Sequence, residues 1–305
     1  MRRRELLGGL PGAMAPLPGL GVESAMAEPR MTTRPIPSTG EAMPVVGLGT
    51  WPVFDVGTGD ASRQKLREVV KLLVAGGGKV IDTSPMYGRS EVVVGDIVAE
   101  LGLRQDVFLA TKVWTSGRER GIEQMARSAQ LLKSPVVDLM QIHNLVDWRT
   151  QLATMREMKA KGQLRYIGIT HYTVGALADL AHILDSEDGI DFVQCGYSLA
   201  TREPETRLLP VAARRGVAVI VNQPFEQGDL FAKVRGKQLP DWAAAFDCAS
   251  WAQLFLKYLL GDPAVTVVIP ATNKVDHLAD NLKAGYGRLP DTQQREQIRR
   301  YWDTL

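Results

Sequence analysis

The sequence has few of the residues that build metal sites and disulfide frameworks. Its 305 residues include two cysteines, Cys195 and Cys248, and four histidines, none in an HxH or HExxH spacing. That pattern gives no disulfide framework and argues against a metal-dependent hydrolase. Excess charge of one sign is also missing. The formal net charge is +2, and no basic run in the body of the chain marks a nucleic-acid partner. No apolar stretch reaches bilayer-spanning length without a charge, so no membrane insertion of the mature domain is expected. No Gly-x-Gly-x-x-Gly opens a helix after an early strand, as an open dinucleotide-binding sheet normally requires. Gly76-Gly77-Gly78 precedes a strand and reads as a helix stop. What is there is ordinary for a soluble globular protein, with 45% hydrophobic and 23% charged residues.

The first 27 residues read as a leader, not as part of the fold. Arg2-Arg3-Arg4 is a charged start, residues 6 to 22 carry no charge, and Ala25-Met26-Ala27 is a small-residue cleavage site. Arg3-Arg4-Glu5-Leu6-Leu7 resembles the twin-arginine export pattern. The expectation is a signal peptide over 1–27, a functional domain over 28–305 and a periplasmic location, with the cytoplasm as the alternative.

The rest alternates. Met31–Ile36 and Val45–Leu48, around Ser38-Thr39-Gly40-Glu41, predict a hairpin running into a first strand. Apolar runs then predict strands at 79–82, 107–112, 136–143, 164–170, 192–196, 217–222 and 265–270. Helical spacing predicts helices at 62–75, 91–101, 119–132, 149–161, 174–184, 205–215, 242–260 and 275–284, and a last one over 291–301. Such alternation means a parallel sheet with helices outside. Eight strand-helix units in a chain of this length predict a closed (β/α)8 TIM barrel with an N-terminal hairpin and an extra C-terminal helix. A doubly wound open sheet is the competing architecture.

In such barrels chemistry collects at the C-terminal ends of the strands. Asp82 ends the second barrel strand, and Tyr87 sits in the loop after it. Lys112, His143, Thr170-His171, Gln194 and Asn222-Gln223 end the strands that follow. Each has a bland alternative, such as a cap, a packing residue or a solvated charge. An acid, a phenol, an ammonium and an imidazole at successive ends of one face point instead to a shared site.

These residues resemble the aldo-keto reductases. The resemblance runs from about Arg34 to the end of the chain. It rests on Gly47-Leu48-Gly49-Thr50-Trp51, on Asp82 through Glu91, and on Ala110-Thr111-Lys112-Val113-Trp114. It continues with Asp138 through His143, Arg165 through Thr170, and Ile269-Pro270-Ala271-Thr272-Asn273. It implies reduction of aldehydes or ketones with a nicotinamide cofactor lying across the barrel top. It also implies roles for four residues. Tyr87 gives the proton, Lys112 lowers its pKa, Asp82 holds Lys112, and His143 orients the carbonyl. A free phenol has a pKa of roughly 10, so the expectation is a value pulled down by the ammonium.

The same resemblance implies cofactor contacts at Gly49, Thr50, Trp51, Thr170, His171, Gln194, Asn222, Phe225, Gly228, Leu230, Ala271, Thr272, Lys274, His277 and Asn281. Several depart from the family pattern. His171 stands where asparagine is usual, and Asn222 stands where an aromatic ring usually stacks, with Phe225 as a substitute. Ala271 and His277 stand where lysine and arginine usually grip a 2′-phosphate. NADPH is the implied cofactor, with NADH as the alternative. Trp51, Phe54, Met86 and Trp114 are expected to wall the pocket and to suit a small apolar or aromatic carbonyl. The expected assembly is a monomer or weak oligomer. The rival functions are a non-catalytic nicotinamide-binding regulator on the same fold, and a barrel lyase or epimerase that needs no nicotinamide.

Overall fold

A computed structural model describes residues 30–305. The leader reading falls on residues 1–27, outside the described residues. The described residues begin with a hairpin of β1 (Thr33–Pro35) and β2 (Ala42–Pro44), paired antiparallel. Eight parallel strands follow: β3 (Leu48–Gly49), β4 (Val80–Asp82), β5 (Phe108–Val113), β6 (Val137–His143), β7 (Leu164–His171), β8 (Phe192–Gly196), β9 (Ala218–Asn222) and β10 (Val265–Val268). They pair in sequence order from β3 to β10. Parallel bridges from Val46 to Val268 and from Gly49 to Ala271 join the two ends. The sheet is therefore a closed (β/α)8 barrel, as the alternation predicts.

The helices α1 (Asp60–Ala75), α2 (Ser90–Glu100), α3 (Arg118–Leu131), α4 (Trp148–Ala160), α5 (Leu177–Ser186), α6 (Pro204–Arg207), α7 (Leu209–Arg215), α8 (Asp229–Lys233) and α9 (Trp251–Leu260) lie between the strands in sequence, and α10 (Val275–Lys283) follows β10. A final α11 (Thr292–Thr304) begins with a capping box between Asp291 and Gln294. The glycine stop after α1 is present, with the Gly76 N–H on the Leu72 carbonyl and Gly77 at φ 77°.

Two predicted helices are broken. The 205–215 stretch divides at Leu208 into α6 and α7. Pro210 lies just beyond, and it has no N–H to give the Thr206 carbonyl one turn back. The 242–260 stretch divides into a 3-10 segment, Asp241–Phe246, and α9. Asp247 turns left-handed at φ 58°, and the Ser250 hydroxyl then caps a new helix by accepting from the Gln253 N–H.

The strands read as near-continuous apolar runs because both faces are covered. One face looks into the barrel, where Val80, Phe108, Ala110, Leu139, Tyr166, Phe192, Ala218, Ile220, Val267 and Ile269 form one cluster. The alternate residues Ile81, Leu109, Met140, Ile142, Ile167, Val193 and Val221 join a second cluster with the helices. The hairpin covers the N-terminal mouth of the barrel. Its Ile36 and Met43 belong to the inner cluster, and Glu41 accepts from the Tyr166 hydroxyl at 2.6 Å. Among the described residues, no helix is long and apolar enough to cross a membrane.

Candidate active site

Side-chain alternation decides what reaches the barrel top. Successive residues of a strand face opposite sides. Phe108 and Ala110 face inward, so Lys112 does too. By the same count Leu139 brings Gln141 and His143 inward. Tyr166 brings Thr170, Phe192 brings Gln194, Ala218 and Ile220 bring Asn222, and Val80 brings Asp82. The inner face is apolar below and polar above.

These groups are joined. The Lys112 ammonium donates to Asp82 Oδ1 at 2.6 Å and to the Thr83 carbonyl at 2.8 Å. Asp82 Oδ2 accepts from Gln194 Nε2 at 2.9 Å and from Gln141 Nε2 at 3.1 Å. Gln194 Oε1 accepts in turn from the Asn222 amide at 3.1 Å and the Thr170 hydroxyl at 3.3 Å. Asp82, Lys112, Gln141 and Gln194 are all buried. A buried ion pair persists only when its remaining lone pairs and protons find partners, and here they do. Burial alone lowers the affinity of Lys112 for its proton. Asp82 and the Tyr87 oxygen outweigh that, and the ammonium is held above its ordinary pKa.

Tyr87 comes from the loop between β4 and α2. Lys112 Nζ lies 4.9 Å from its ring centroid, and the His143 ring meets it edge-on at 5.9 Å. Burial pushes the phenol pKa up, and Lys112 pulls it down less strongly. The net shift is upward, which corrects the expectation of a lowered value. A lone ammonium cannot offset the loss of water around a phenolate already opposed by Asp82. His143 is driven the other way, to about 3, by burial, by the Lys112 charge and by His171. It is a neutral imidazole at physiological pH.

The remaining predicted residues divide. Gly49 bridges Ala271 at the barrel seam, and the Thr50 hydroxyl is spent on the Asp82 carbonyl at 2.9 Å. Trp51, Met86 and Trp114 stand exposed in the loops after β3, β4 and β5. Phe54 does not join them. It is fully buried in the outer core, because its loop folds back through a hydrogen bond from the Phe54 N–H to the Thr50 carbonyl. His171, one residue past Thr170, has the opposite parity. Its Nδ1 accepts from the Thr173 N–H at 3.2 Å, and its ring stacks on Tyr172. Phe225 packs against Phe231 at 4.9 Å. Gly228, at φ 111°, precedes α8, whose Leu230 is buried. Thr272 accepts from the Lys274 N–H at 3.1 Å just before α10. Ala271, Lys274 and His277 are exposed there, and Asn281 is buried.

Two residues missed in the sequence belong to the site. Gln141 sits two positions before His143, and strand alternation alone is enough to place it inward. Ser84 bonds His143 Nδ1 at 3.1 Å, and no spacing rule points to it. A nicotinamide carboxamide needs both donors and acceptors. The amide oxygens Asn222 Oδ1 and Gln141 Oε1 are buried without a partner, so the upper end of this network has acceptors to spare. The residues fit such a group.

The fold is a closed (β/α)8 barrel with a joined polar cluster at its C-terminal mouth. The aldo/keto reductase family model matches residues 45–302, and the chain belongs to that family. The chain is 28% identical over 214 residues to the aldo-keto reductase YhdN of Bacillus subtilis, a match covering 65% of this chain and 63% of that one, under two thirds of its length. It is 28% identical over 247 residues to the NADH-specific methylglyoxal reductase of Escherichia coli, covering 69% and 72%. Among solved structures, an aldo/keto reductase from Klebsiella pneumoniae in complex with NADP and acetate superposes with a TM-score of 0.74 at 25% identity. That match covers 86% of this chain and 93% of the other.

Proposed function

We propose that this protein reduces a small aldehyde or ketone to an alcohol, with Tyr87 as proton donor. The observation that carries this reading is the convergence of Tyr87, Lys112, Asp82 and His143 at the barrel top. The high pKa of the phenol keeps its proton in place at neutral pH. As the carbonyl oxygen takes on negative charge, Tyr87 gives it that proton. Lys112 then faces the new phenolate and stabilises it. Asp82, held by two glutamines, keeps Lys112 aimed at Tyr87. Neutral His143 donates a hydrogen bond to the same carbonyl oxygen and orients it. A bound nicotinamide dinucleotide supplies the hydride. Thr170, Gln194 and Asn222 would hold its carboxamide.

NADPH is the proposed cofactor, with NADH as the alternative. Lys274, the Thr272 loop and the N-terminus of α10 can receive a 2′-phosphate, while Ala271 and His277 stand where the family usually has lysine and arginine. A solved relative holds NADP and another relative is NADH-specific, so titration of both dinucleotides decides. Exposed Trp51, Met86 and Trp114 favour an apolar or aromatic carbonyl. We further propose export by the twin-arginine route, on the strength of Arg3-Arg4 and Ala25-Met26-Ala27. Sequencing the mature N-terminus from periplasmic and cytoplasmic fractions tests this; an intact Met1 in the cytoplasm alone rules export out.

Tyr87→Phe keeps the ring and removes the proton. It is expected to lower kcat/KM about 10²- to 10⁴-fold, the usual worth of a general acid, with dinucleotide affinity unchanged. Near-normal carbonyl reduction by this variant would end the assignment. Tight dinucleotide binding by the wild type without turnover of any carbonyl favours the non-catalytic regulator.

A further inference from the structure

We propose that Ser84 is a positioning residue that sets the tautomer of His143. The argument is a count of hydrogens in a closed space. Ser84 is fully buried, and His143 is nearly so. A serine hydroxyl has one proton to give and two lone pairs. One lone pair accepts the Met86 N–H at 3.3 Å, and the remaining neighbour is His143 Nδ1 at 3.1 Å. If Nδ1 carried the ring proton, the hydroxyl would accept twice and its own proton would have no acceptor. A buried polar group left without a partner keeps its full desolvation cost. With the hydroxyl donating to Nδ1, both the hydroxyl and Nδ1 are satisfied, and the ring proton sits on Nε2. A neutral imidazole can donate from only one nitrogen, so this bond makes Nε2 the donor.

Ser84 also shapes the loop that carries the proton donor. Its carbonyl accepts from the Tyr87 N–H at 3.0 Å. One residue thus ties the backbone position of Tyr87 to the proton position on His143. The bond itself stands on geometry. Its consequence for rate rests on the reductase reading, in which Tyr87 and His143 address the same carbonyl oxygen.

The test uses the full-length protein. A nitrogen–proton correlation spectrum of the imidazoles, with His143→Asn to assign the signal, reports which ring nitrogen carries the proton. The wild type is expected to show Nε2–H alone and Ser84→Ala a mixture. Ser84→Cys, whose thiol is a weaker donor, should fall between them. In carbonyl reduction, Ser84→Ala should lose about tenfold or more in kcat/KM, with Ser84→Cys recovering part. Dinucleotide affinity should not change. A wild type with Nδ1–H overturns the proposal, even if Ser84→Ala fails to fold. So does a folded Ser84→Ala that keeps Nε2–H alone, or one whose kcat/KM stays within about twofold of wild type. A wild type with Nε2–H but no turnover overturns the reductase reading and upholds the Ser84 bond.

Discussion

At His143 the barrel top stores a dependence on pH that stability can report. Burial and the Lys112 charge hold its pKa at about 3, against about 6.5 in an unfolded chain. Between these values the unfolded chain binds more protons than the folded one. The contribution of His143 is therefore fully present above pH 6.5 and is lost as pH falls toward 3. At pH 5 the loss from this one group is about 2 kcal/mol relative to pH 7. His143→Asn cannot titrate, so it should lose less stability over the same interval, apart from a constant offset. Urea unfolding of both proteins at pH 7, 6, 5 and 4 measures the difference in slope. Parallel curves would mean that His143 is not held neutral by its surroundings.

At the scale of a strand, alternation explains both what the sequence discloses and what it hides. Once Asp82, Lys112 and His143 are placed at strand ends, parity turns them inward, and the cluster at the barrel top is legible. The same rule was available for Gln141, whose amide holds Asp82. His171 follows Thr170 with the opposite parity, so strand position alone does not set its direction as it does for the inward residues. Phe54 and Ser84 sit in loops, where no period exists and tertiary contacts decide. The helix breaks at Leu208 and Asp247 likewise depend on a missing N–H and a left-handed turn that apolar spacing does not register. Gly168 shows how neighbouring strands share the interior. A Cβ there would stand 2.8 Å from the Phe192 carbonyl oxygen and 3.3 Å from Gln141 Cγ. Gly168→Ala should therefore push against β8 and displace the amide that holds Asp82. Overpacking of this kind costs about 1–3 kcal/mol. The expected outcome is a lower urea midpoint together with a fall in kcat at unchanged dinucleotide affinity. Wild-type turnover in a destabilised Gly168→Ala would separate Gln141 from the chemistry.

For the whole molecule, the weakest stretch of the ring is where the chain begins it. β3 has two residues, whereas β5, β6 and β7 have six, seven and eight. Closure depends on a few bonds between this segment and β10. The Gly47 N–H donates to the Val268 carbonyl at 2.9 Å, the Val268 N–H to the Val45 carbonyl at 2.9 Å, and the Gly49 N–H to the Pro270 carbonyl at 3.3 Å. The strand fits between β4 and β10 because its glycines leave room. A Cβ on Gly47 would come within 2.8 Å of Val80 Cβ and 3.2 Å of Ile269 Cγ2, and one on Gly49 within 2.7 Å of the Ile269 carbonyl oxygen. The Gly-Leu-Gly stretch that resembles a family signature is thus also a steric requirement of ring closure. Gly47 has no assigned cofactor contact, which makes it the cleaner probe. Gly47→Ala should cost about 1–3 kcal/mol, as small-to-large changes in a packed interior do. The denaturant slope distinguishes two ways of absorbing that strain, because it scales with the surface exposed on unfolding. If neighbours shift and the ring stays shut, the urea midpoint falls and the slope is unchanged. If the seam opens, the native state already exposes part of β3 and β10, and the slope falls as well. Since Gly49, Thr50 and Asp82 meet at this seam, an opened ring should also lower kcat, and a shut one should leave it near wild type. An unchanged midpoint in Gly47→Ala would show that closure does not depend on the bare backbone at β3.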